Sequence, residues 1–175
     1  MSQKSKAERR ASRAGSGARP SAVDPRRAIE VSAGLIFRSG QLLLTQRHPG
    51  DHLGGLWEFP GGKREPGETF EQCLTRELRE ELGVEVSVGA LFESVTHAYG
   101  DKTVHLKFFL CQLSTGEPQP LDCAALKWVR REELAAHAFP AADAQLLSRL
   151  AADSSRWQSP AGPMRANVAS RPNST

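Results

Sequence analysis

Residues 57–84 read WEFPGGKREPGETFEQCLTRELREELGV, and this stretch decides the fold. Its second half has the marks of a helix at both ends. The segment Thr69-Phe70-Glu71-Gln72 is a capping box, in which the first and last side chains satisfy backbone N–H groups at a helix start. Gly83 is the expected left-handed end. The stretch therefore predicts a helix from about Phe70 to Leu82.

The predicted helix places carboxylates beside its buried face. Its apolar stripe, at about 100° per residue, consists of Leu74, Leu78 and Leu82. Glu81 falls inside the apolar arc, Glu77 lies at its edge and Glu80 lies on its flank. Burying an unpaired carboxylate costs free energy, and like charges on adjacent turns repel each other. A bound cation would relieve both effects.

Magnesium is the cation we expect, because it prefers hard oxygen ligands and completes its shell with water and substrate phosphates. Mn²⁺ is the expected substitute. Zinc is disfavoured because no His or Cys lies in register with the glutamates. An ordinary acidic surface helix is the alternative when the helix is considered alone.

The helix is part of a longer motif, because the stretch matches the Nudix box at every defined position. The matching residues are Gly62, Glu68, Arg76, Glu77, Leu78, Glu80, Glu81, Gly83 and Val84. Such a match would arise by chance on the order of once in 10⁹ starting points. The sequence therefore resembles the Nudix hydrolase family. The preceding residues, Trp57 to Lys63, resemble its MutT-like subgroup, and the similarity of layout extends from about Ile29 to Ala152.

The resemblance implies an α/β Nudix fold, with a mixed β-sheet sandwiched between α-helices. It also implies magnesium-dependent hydrolysis of a nucleoside triphosphate to the monophosphate and pyrophosphate. An 8-oxo-dGTP diphosphatase that clears oxidised nucleotides is the leading interpretation, and a CTP or dCTP pyrophosphohydrolase is the nearest alternative. A non-catalytic module that binds oxidised guanine is disfavoured, because such modules typically lack an intact box.

The same resemblance assigns the catalytic residues. The implied metal ligands are the backbone carbonyl of Gly61 and the carboxylates of Glu77, Glu80 and Glu81. Arg76 is expected to orient these carboxylates, and Glu68 is either a further ligand or a brace for its loop. Glu77 is the first candidate general base. Asp122 is the second, in a loop where MutT-like enzymes carry a glutamate, and a plain loop aspartate is its alternative.

Substrate-binding residues are also implied. Arg47 matches a phosphate-binding arginine at the end of the second strand, with a surface arginine as the alternative. The implied nucleoside-binding segment is Glu58, Phe59, Pro60 and Gly61, although Phe59 could equally belong to the core. Asp143 stands where the 8-oxo-dGTP enzymes carry a base-reading asparagine. It either reads the base or caps the helix that follows it.

The rest of the sequence predicts a mixture of strands and helices. Strands are predicted at Ile29–Phe37, Leu42–Leu44, Val84–Val88 and Leu126–Val129. A further strand pair is predicted to turn at Tyr99-Gly100-Asp101-Lys102, before Val104 to Leu113. Helices are predicted at Glu132–Ala136 and Ala141–Ala152. Three cysteines without metal-ligand spacing, Cys73, Cys111 and Cys123, are expected to fill the core.

Charge and composition divide the chain into one domain and two tails. Residues 1–27 hold eight Lys or Arg and two acidic residues, a net charge of +6, with no apolar periodicity. We expect this tail to be disordered and to be either solvated or in weak contact with nucleic acid. The Nudix hydrolase domain is assigned to 28–152 and a second disordered tail to 153–175. No membrane segment or secretory signal is evident, so a cytoplasmic location is expected. A monomer that binds a nucleoside triphosphate is also expected.

Overall fold

The computed structural model describes residues 28–100 and 102–158. The strands are β1 (Ile29–Arg38), β2 (Gln41–Gln46), β3 (Trp57–Glu58), β4 (Gly61–Lys63), β5 (Glu85–Tyr99), β6 (Lys102–Thr115) and β7 (Ala125–Val129). The helices are α1 (Phe70–Leu82) and α2 (Ala144–Ala152), with 3-10 turns at Arg131–Ala136, Ala141–Asp143 and Ser154–Trp157. The predicted tail 1–27, residues 159–175 and Asp101 of the predicted turn lie outside the described residues.

The seven strands form one mixed sheet in the order β3-β2-β1-β6-β5, with β4 paired to β1 and β7 paired to β2. β1 and β6 run parallel, with Ile29 opposite Val104 and Ile36 opposite Cys111. The other pairings are antiparallel. β1 therefore joins the two parts of the sheet, because its first half pairs with β4 and its end pairs with β2.

A helix covers each face of this sheet. The leucine stripe of α1 is fully buried and packs with Ile36, Leu43 and Phe109. On the opposite face, the cluster that holds Leu146 and Leu150 of α2 includes Ala33, Leu35 and Phe108. Alternate residues of one strand face opposite sides, so β1 contributes to both cores. The predicted Nudix architecture, a mixed sheet between helices, is confirmed.

The ends of α1 are formed as the sequence predicts. The Thr69 side chain accepts a hydrogen bond from the Gln72 N–H, and the Gln72 side chain accepts one from the Thr69 N–H. Gly83 adopts φ 68° and closes the helix with its N–H on the Arg79 carbonyl. Both capping predictions are confirmed, and they hold the box glutamates in one register.

Several elements differ from the prediction. The two short strands β3 and β4 are absent from it, and the helix predicted over 132–136 is a 3-10 turn. The helix predicted over 141–152 begins as a 3-10 turn and becomes α-helical at Ala144. The ordered domain also continues past residue 152. Trp157 packs edge-on against Phe37, with ring centroids 5.3 Å apart, and donates its indole N–H to the Leu150 carbonyl.

Two expectations about composition can be compared with the structure. Cys73, Cys111 and Cys123 are free thiols buried in the protein, which confirms their core-filling assignment. Over the ranges that the structure describes, none of the helices has the length and apolar character needed to cross a membrane.

Candidate active site

The strand β4 places the main chain of the box beside the end of α1. Gly61 lies opposite Ala33 of β1 and has φ +144°, a conformation that side chains disfavour. A Cβ at this position would lie 2.1 Å from the Ser32 carbonyl oxygen, so only glycine fits. The Gly61 N–H donates to Oε2 of Glu81 at 3.2 Å. This contact fixes the Glu81 carboxylate against the predicted carbonyl ligand.

The next residue, Gly62, makes room for a second glutamate. A Cβ on Gly62 would lie 2.2 Å from the carboxyl carbon of Glu77, which excludes every larger residue while Glu77 keeps this position. Glu77 and Glu81 occupy adjacent turns of α1, and the carboxyl groups of both lie against the β4 backbone, at Gly62 and Gly61 respectively. The third predicted ligand, Glu80, is different, because its side chain is 59% exposed.

Arg76 connects the carboxylates of the box. Its Nε and Nη2 donate to the two carboxylate oxygens of Glu68, at 2.7 and 3.0 Å. Its Nη1 donates to a carboxylate oxygen of Glu77 at 2.9 Å and to one of Glu80 at 3.2 Å. The Arg76 hydrogen bonds, with one from the Glu65 N–H, lower the pKa of Glu68 to about 2. This geometry favours the role of a brace for Glu68 over that of a ligand.

Burial changes the proton affinity of the two inner carboxyls. Desolvation raises the pKa of Glu81 to about 8, although the Gly61 N–H acts in the opposite direction, and the neighbouring Glu58, Glu77 and Asp122 raise it further. Desolvation also raises the pKa of Glu77 against the opposing effect of Arg76. A cation beside these groups would favour their ionised forms.

The donor set fits a hard divalent cation, because it consists of carboxylate oxygens and one backbone carbonyl. No three Asp, Glu, His or Cys side chains within residues 28–100 and 102–158 converge closely enough to hold an ion as they stand. Glu77 and Glu80 instead point to Arg76. Coordination by all three glutamates therefore requires Arg76 to release part of its hold on them.

A cavity of about 550 Å³ lies next to these residues. Seven residues predicted for catalysis or substrate binding line it: Arg47, Glu58, Phe59, Gly61, Glu81, Asp122 and Asp143. Pro60 is buried and does not line the cavity, and its carbonyl accepts the Gly34 N–H at 2.8 Å. Arg76, Glu77 and Glu80 lie outside the lining. A volume of this size accommodates a small ligand such as a nucleotide.

Arg47 and Glu58, which were predicted separately, form an ion pair. Arg47 donates from Nη1 to Glu58 Oε2 at 2.6 Å and from Nε to the His52 carbonyl at 2.8 Å. Burial raises the pKa of Glu58, and Arg47 partly offsets that effect. Arg47 is consequently held on the cavity wall by a carboxylate and a carbonyl, with part of its guanidinium available to a phosphate.

Asp143 is the most deeply placed acidic group of the cavity, at 4% exposure. It occupies the position before α2, but its side chain makes no capping hydrogen bond. The capping interpretation therefore lacks its defining contact. Desolvation, reinforced by the charge of Glu58, raises the pKa of Asp143 to about 7. The carboxyl can thus change its protonation state near neutral pH.

The remaining two predicted residues differ in exposure. The Asp122 side chain is 82% exposed and lies 3.8 Å from His48 Nε2 at the cavity rim, while its N–H donates to the Glu81 carbonyl at 3.2 Å. Phe59 is buried, stacks on Phe139 at 5.6 Å and also lines the cavity. The core alternative for Phe59 is confirmed, and its place in the lining leaves contact with a nucleoside as a prediction.

Several wall residues were not predicted from the sequence, and Tyr99 is one of them. Tyr99 lines the cavity, and its hydroxyl accepts the Ala142 N–H at 3.3 Å, next to Asp143. The rings of His52 and His97 lie edge-on to it. The sequence marks Tyr99 only as part of a turn, and no local signal reveals a contact with a residue 43 positions away.

Comparison with known proteins gives consistent matches. The family model of the NUDIX domain matches residues 32–149. The chain is 41% identical over 119 residues to the CTP pyrophosphohydrolase of Escherichia coli K12, covering 68% of this chain and 88% of that protein. It is 40% identical over 126 residues to the 8-oxo-dGTP diphosphatase of Haemophilus influenzae, covering 71% and 93%. A solved structure from a study of MutT from Aliivibrio salmonicida and Vibrio cholerae matches at a TM-score of 0.60 and 31% identity, covering 71% and 96%.

Proposed function

The chain belongs to the Nudix hydrolase family, in its MutT-like subgroup, and we propose that it hydrolyses a nucleoside triphosphate to the monophosphate and pyrophosphate with Mg²⁺. The observation that carries this proposal is the layout of one cavity. Glu81, Gly61 and the buried Asp143 all line it. The triphosphate would be held at the glutamates and the base at Asp143.

Each residue has a proposed task in this layout. Glu77, Glu80, Glu81 and the Gly61 carbonyl would hold Mg²⁺, which neutralises phosphate oxygens and lowers the pKa of bound water. Glu77, the first candidate base, would accept the proton of the attacking water, with the exposed Asp122 as the second candidate. Arg47 would bind phosphate with the guanidinium nitrogens that Glu58 leaves available.

We propose 8-oxo-dGTP as the preferred substrate. Relatives that bear the name 8-oxo-dGTP diphosphatase support this choice, including the one at 40% identity. The wall residues support it too, because an ionised Asp143 can accept two hydrogen bonds from the ring N–H and amino group of a guanine edge. Phe59 and Tyr99 offer apolar and aromatic surface to the base.

CTP is the second candidate, and a specific observation favours it. Asp143 replaces the asparagine implied by the resemblance, and a relative at 41% identity is a CTP pyrophosphohydrolase. A protonated aspartate offers one donor and one acceptor, which complement the ring nitrogen and amino group of cytosine. The two candidates therefore differ in the protonation state of Asp143 that they require.

Pyrophosphate release from 8-oxo-dGTP, dGTP, CTP and dCTP, measured with the full-length protein and MgCl₂, tests the proposal. We expect the highest kcat/KM with 8-oxo-dGTP. Glu81→Gln should lower kcat by at least about 100-fold, because the residue is a proposed ligand. Glu85→Gln is the matched control, since Glu85 pairs with Arg79 outside the site. Near wild-type turnover of Glu81→Gln at saturating Mg²⁺ would refute the ligand assignment, and a preference for cytidine nucleotides would refute the 8-oxo-dGTP assignment.

A further inference from the structure

A second arginine, Arg64, also holds the loop of the box. Its Nε donates to Glu30 Oε2 at 2.8 Å, and its Nη2 donates to the same oxygen. Its Nη1 donates to the backbone carbonyl of Glu68 at 2.6 Å, and its backbone N–H donates to the Glu30 carbonyl at 2.9 Å. Arg64 therefore links β1 directly to the residue that binds Arg76.

The surroundings restrict where this guanidinium can lie. Arg64 is 26% exposed, and its guanidinium carbon lies 5.3 Å from the ring centroid of Phe70, the first residue of α1. Glu30 belongs to β1, whose main chain is bonded to β6 around this position. The Glu30 carboxylate thus belongs to a strand that pairs with β2, β4 and β6, and it holds the Arg64 guanidinium within hydrogen-bond distance of the Glu68 carbonyl.

Glu68 is held twice, and the two contacts depend on each other. Arg64 binds its backbone carbonyl, while Arg76 binds its carboxylate through two nitrogens. A shift of the Glu68 backbone would displace the carboxylate to which Arg76 is bound. Arg76 would then move with that carboxylate, and it would shift the side chains of Glu77 and Glu80, which both accept hydrogen bonds from its Nη1.

We propose that Glu30 is a positioning residue for the metal-binding carboxylates, acting through Arg64, Glu68 and Arg76. This inference rests on the proposed metal ligands. Glu30 does not line the cavity. Its effect on the reaction is therefore indirect: it sets the position from which Arg76 presents two glutamates to the cation.

Binding of Mn²⁺ to the full-length protein, measured as free ion by electron paramagnetic resonance, tests the inference without turnover. Glu30→Gln removes the charge that holds Arg64 and should weaken Mn²⁺ binding by about five- to tenfold, in the lower range for residues that orient ligands. Glu85→Gln is again the matched control, because it removes an ion pair with an arginine of the same helix but leaves Arg76 untouched. The control should bind Mn²⁺ like the wild type.

A second variant separates positioning from a general loss of stability. Arg64→Lys keeps the positive charge but lacks the fork needed to reach Glu30 and the Glu68 carbonyl together. It should weaken Mn²⁺ binding to a similar extent, and the double variant should be no weaker than either single one, because both act in one chain of contacts. A purely structural pair would lower the melting temperature in all three variants and leave the Mn²⁺ affinity of the folded protein unchanged.

The outcomes distinguish this inference from the function on which it rests. If Glu81→Gln abolishes Mn²⁺ binding while Glu30→Gln binds within twofold of the wild type, the positioning role is overturned and the metal site stands. If Glu81→Gln also binds like the wild type, both are overturned. Weaker binding in Glu30→Gln and Arg64→Lys, with non-additive effects and an unaffected Glu85→Gln control, supports the inference.

Discussion

The free energy of unfolding of the Asp143→Asn variant should rise with pH relative to that of the wild type. Asp143 is buried at 4% exposure, and burial raises its pKa from 3.8 to about 7. Between these values the folded protein holds a proton that the unfolded chain has lost. Stability contributed by that proton is fully present below pH 3.8 and is lost as the pH rises through about 7.

The structure gives the size of this effect. Each pKa unit corresponds to about 1.4 kcal/mol, so the wild type should lose about 3 kcal/mol between pH 5 and pH 8 because of this one carboxyl. Asparagine has nearly the same shape and does not ionise in this range. A buried amide without partners has its own cost, but that cost does not vary with pH. The informative quantity is therefore the change in the difference between variant and wild type.

Urea unfolding of wild type and Asp143→Asn, at intervals from pH 5 to pH 8, measures this difference. We expect the variant to gain about 3 kcal/mol relative to wild type over this range and no more above pH 8. Asp153→Asn is the control, because hydrogen bonds from Ser155 lower the pKa of Asp153, so its contribution to stability varies with pH only below 3.8 and is constant from pH 5 to pH 8. A difference for Asp143→Asn that stays constant within about 0.5 kcal/mol would show that the buried carboxyl is not the pH-sensitive group.

Three further predictions concern activity. Asp143→Ala should lower kcat/KM for the preferred nucleotide by an amount equivalent to about 1–3 kcal/mol of transition-state stabilisation, and by less for the other nucleotides. An unchanged preference across the four nucleotides would exclude base reading. Gly62→Ala should lower kcat at least about tenfold, because its Cβ would displace Glu77, whereas Gly50→Ala, with open space around its Cβ, should not; equal activities would contradict the assigned role of the glycine. Deleting residues 1–27 should leave turnover unchanged, since the described cavity residues begin at Ile29, and a large loss of kcat/KM would assign the tail a role in catalysis.

The parts of the fold that could be predicted are those with local causes. The span of α1 follows from a capping box, a leucine period and a terminal glycine, which all act within a few residues. The approach of Glu81 to the buried face follows from the same period. These features do not need knowledge of what packs against the helix, so the sequence was sufficient for them.

The parts that were missed depend on distant partners. β3 and β4 have two and three residues and exist because β2 and β1 offer them backbone partners. Trp157 was assigned to a tail because its neighbours are small and polar, yet Phe37 at the other end of the domain supplies its contact. The pairing of Arg47 with Glu58 likewise arises because β2 and β3 are adjacent.

The parallel pairing of β1 with β6 has a consequence for the order in which the protein can assemble. Ile29 and Val104 are bonded neighbours but stand 75 positions apart in the chain, so their pairing requires the closure of a long loop. The glutamate helix and its glycines span only residues 61–83 and can associate with β1 before β6 has left the ribosome. The wall that holds Val104, Leu106 and Phe108 is added only when the β5–β6 hairpin docks. During synthesis, the proposed metal-binding end of the site can therefore form before Asp143, the proposed base-reading residue, has been added to the chain.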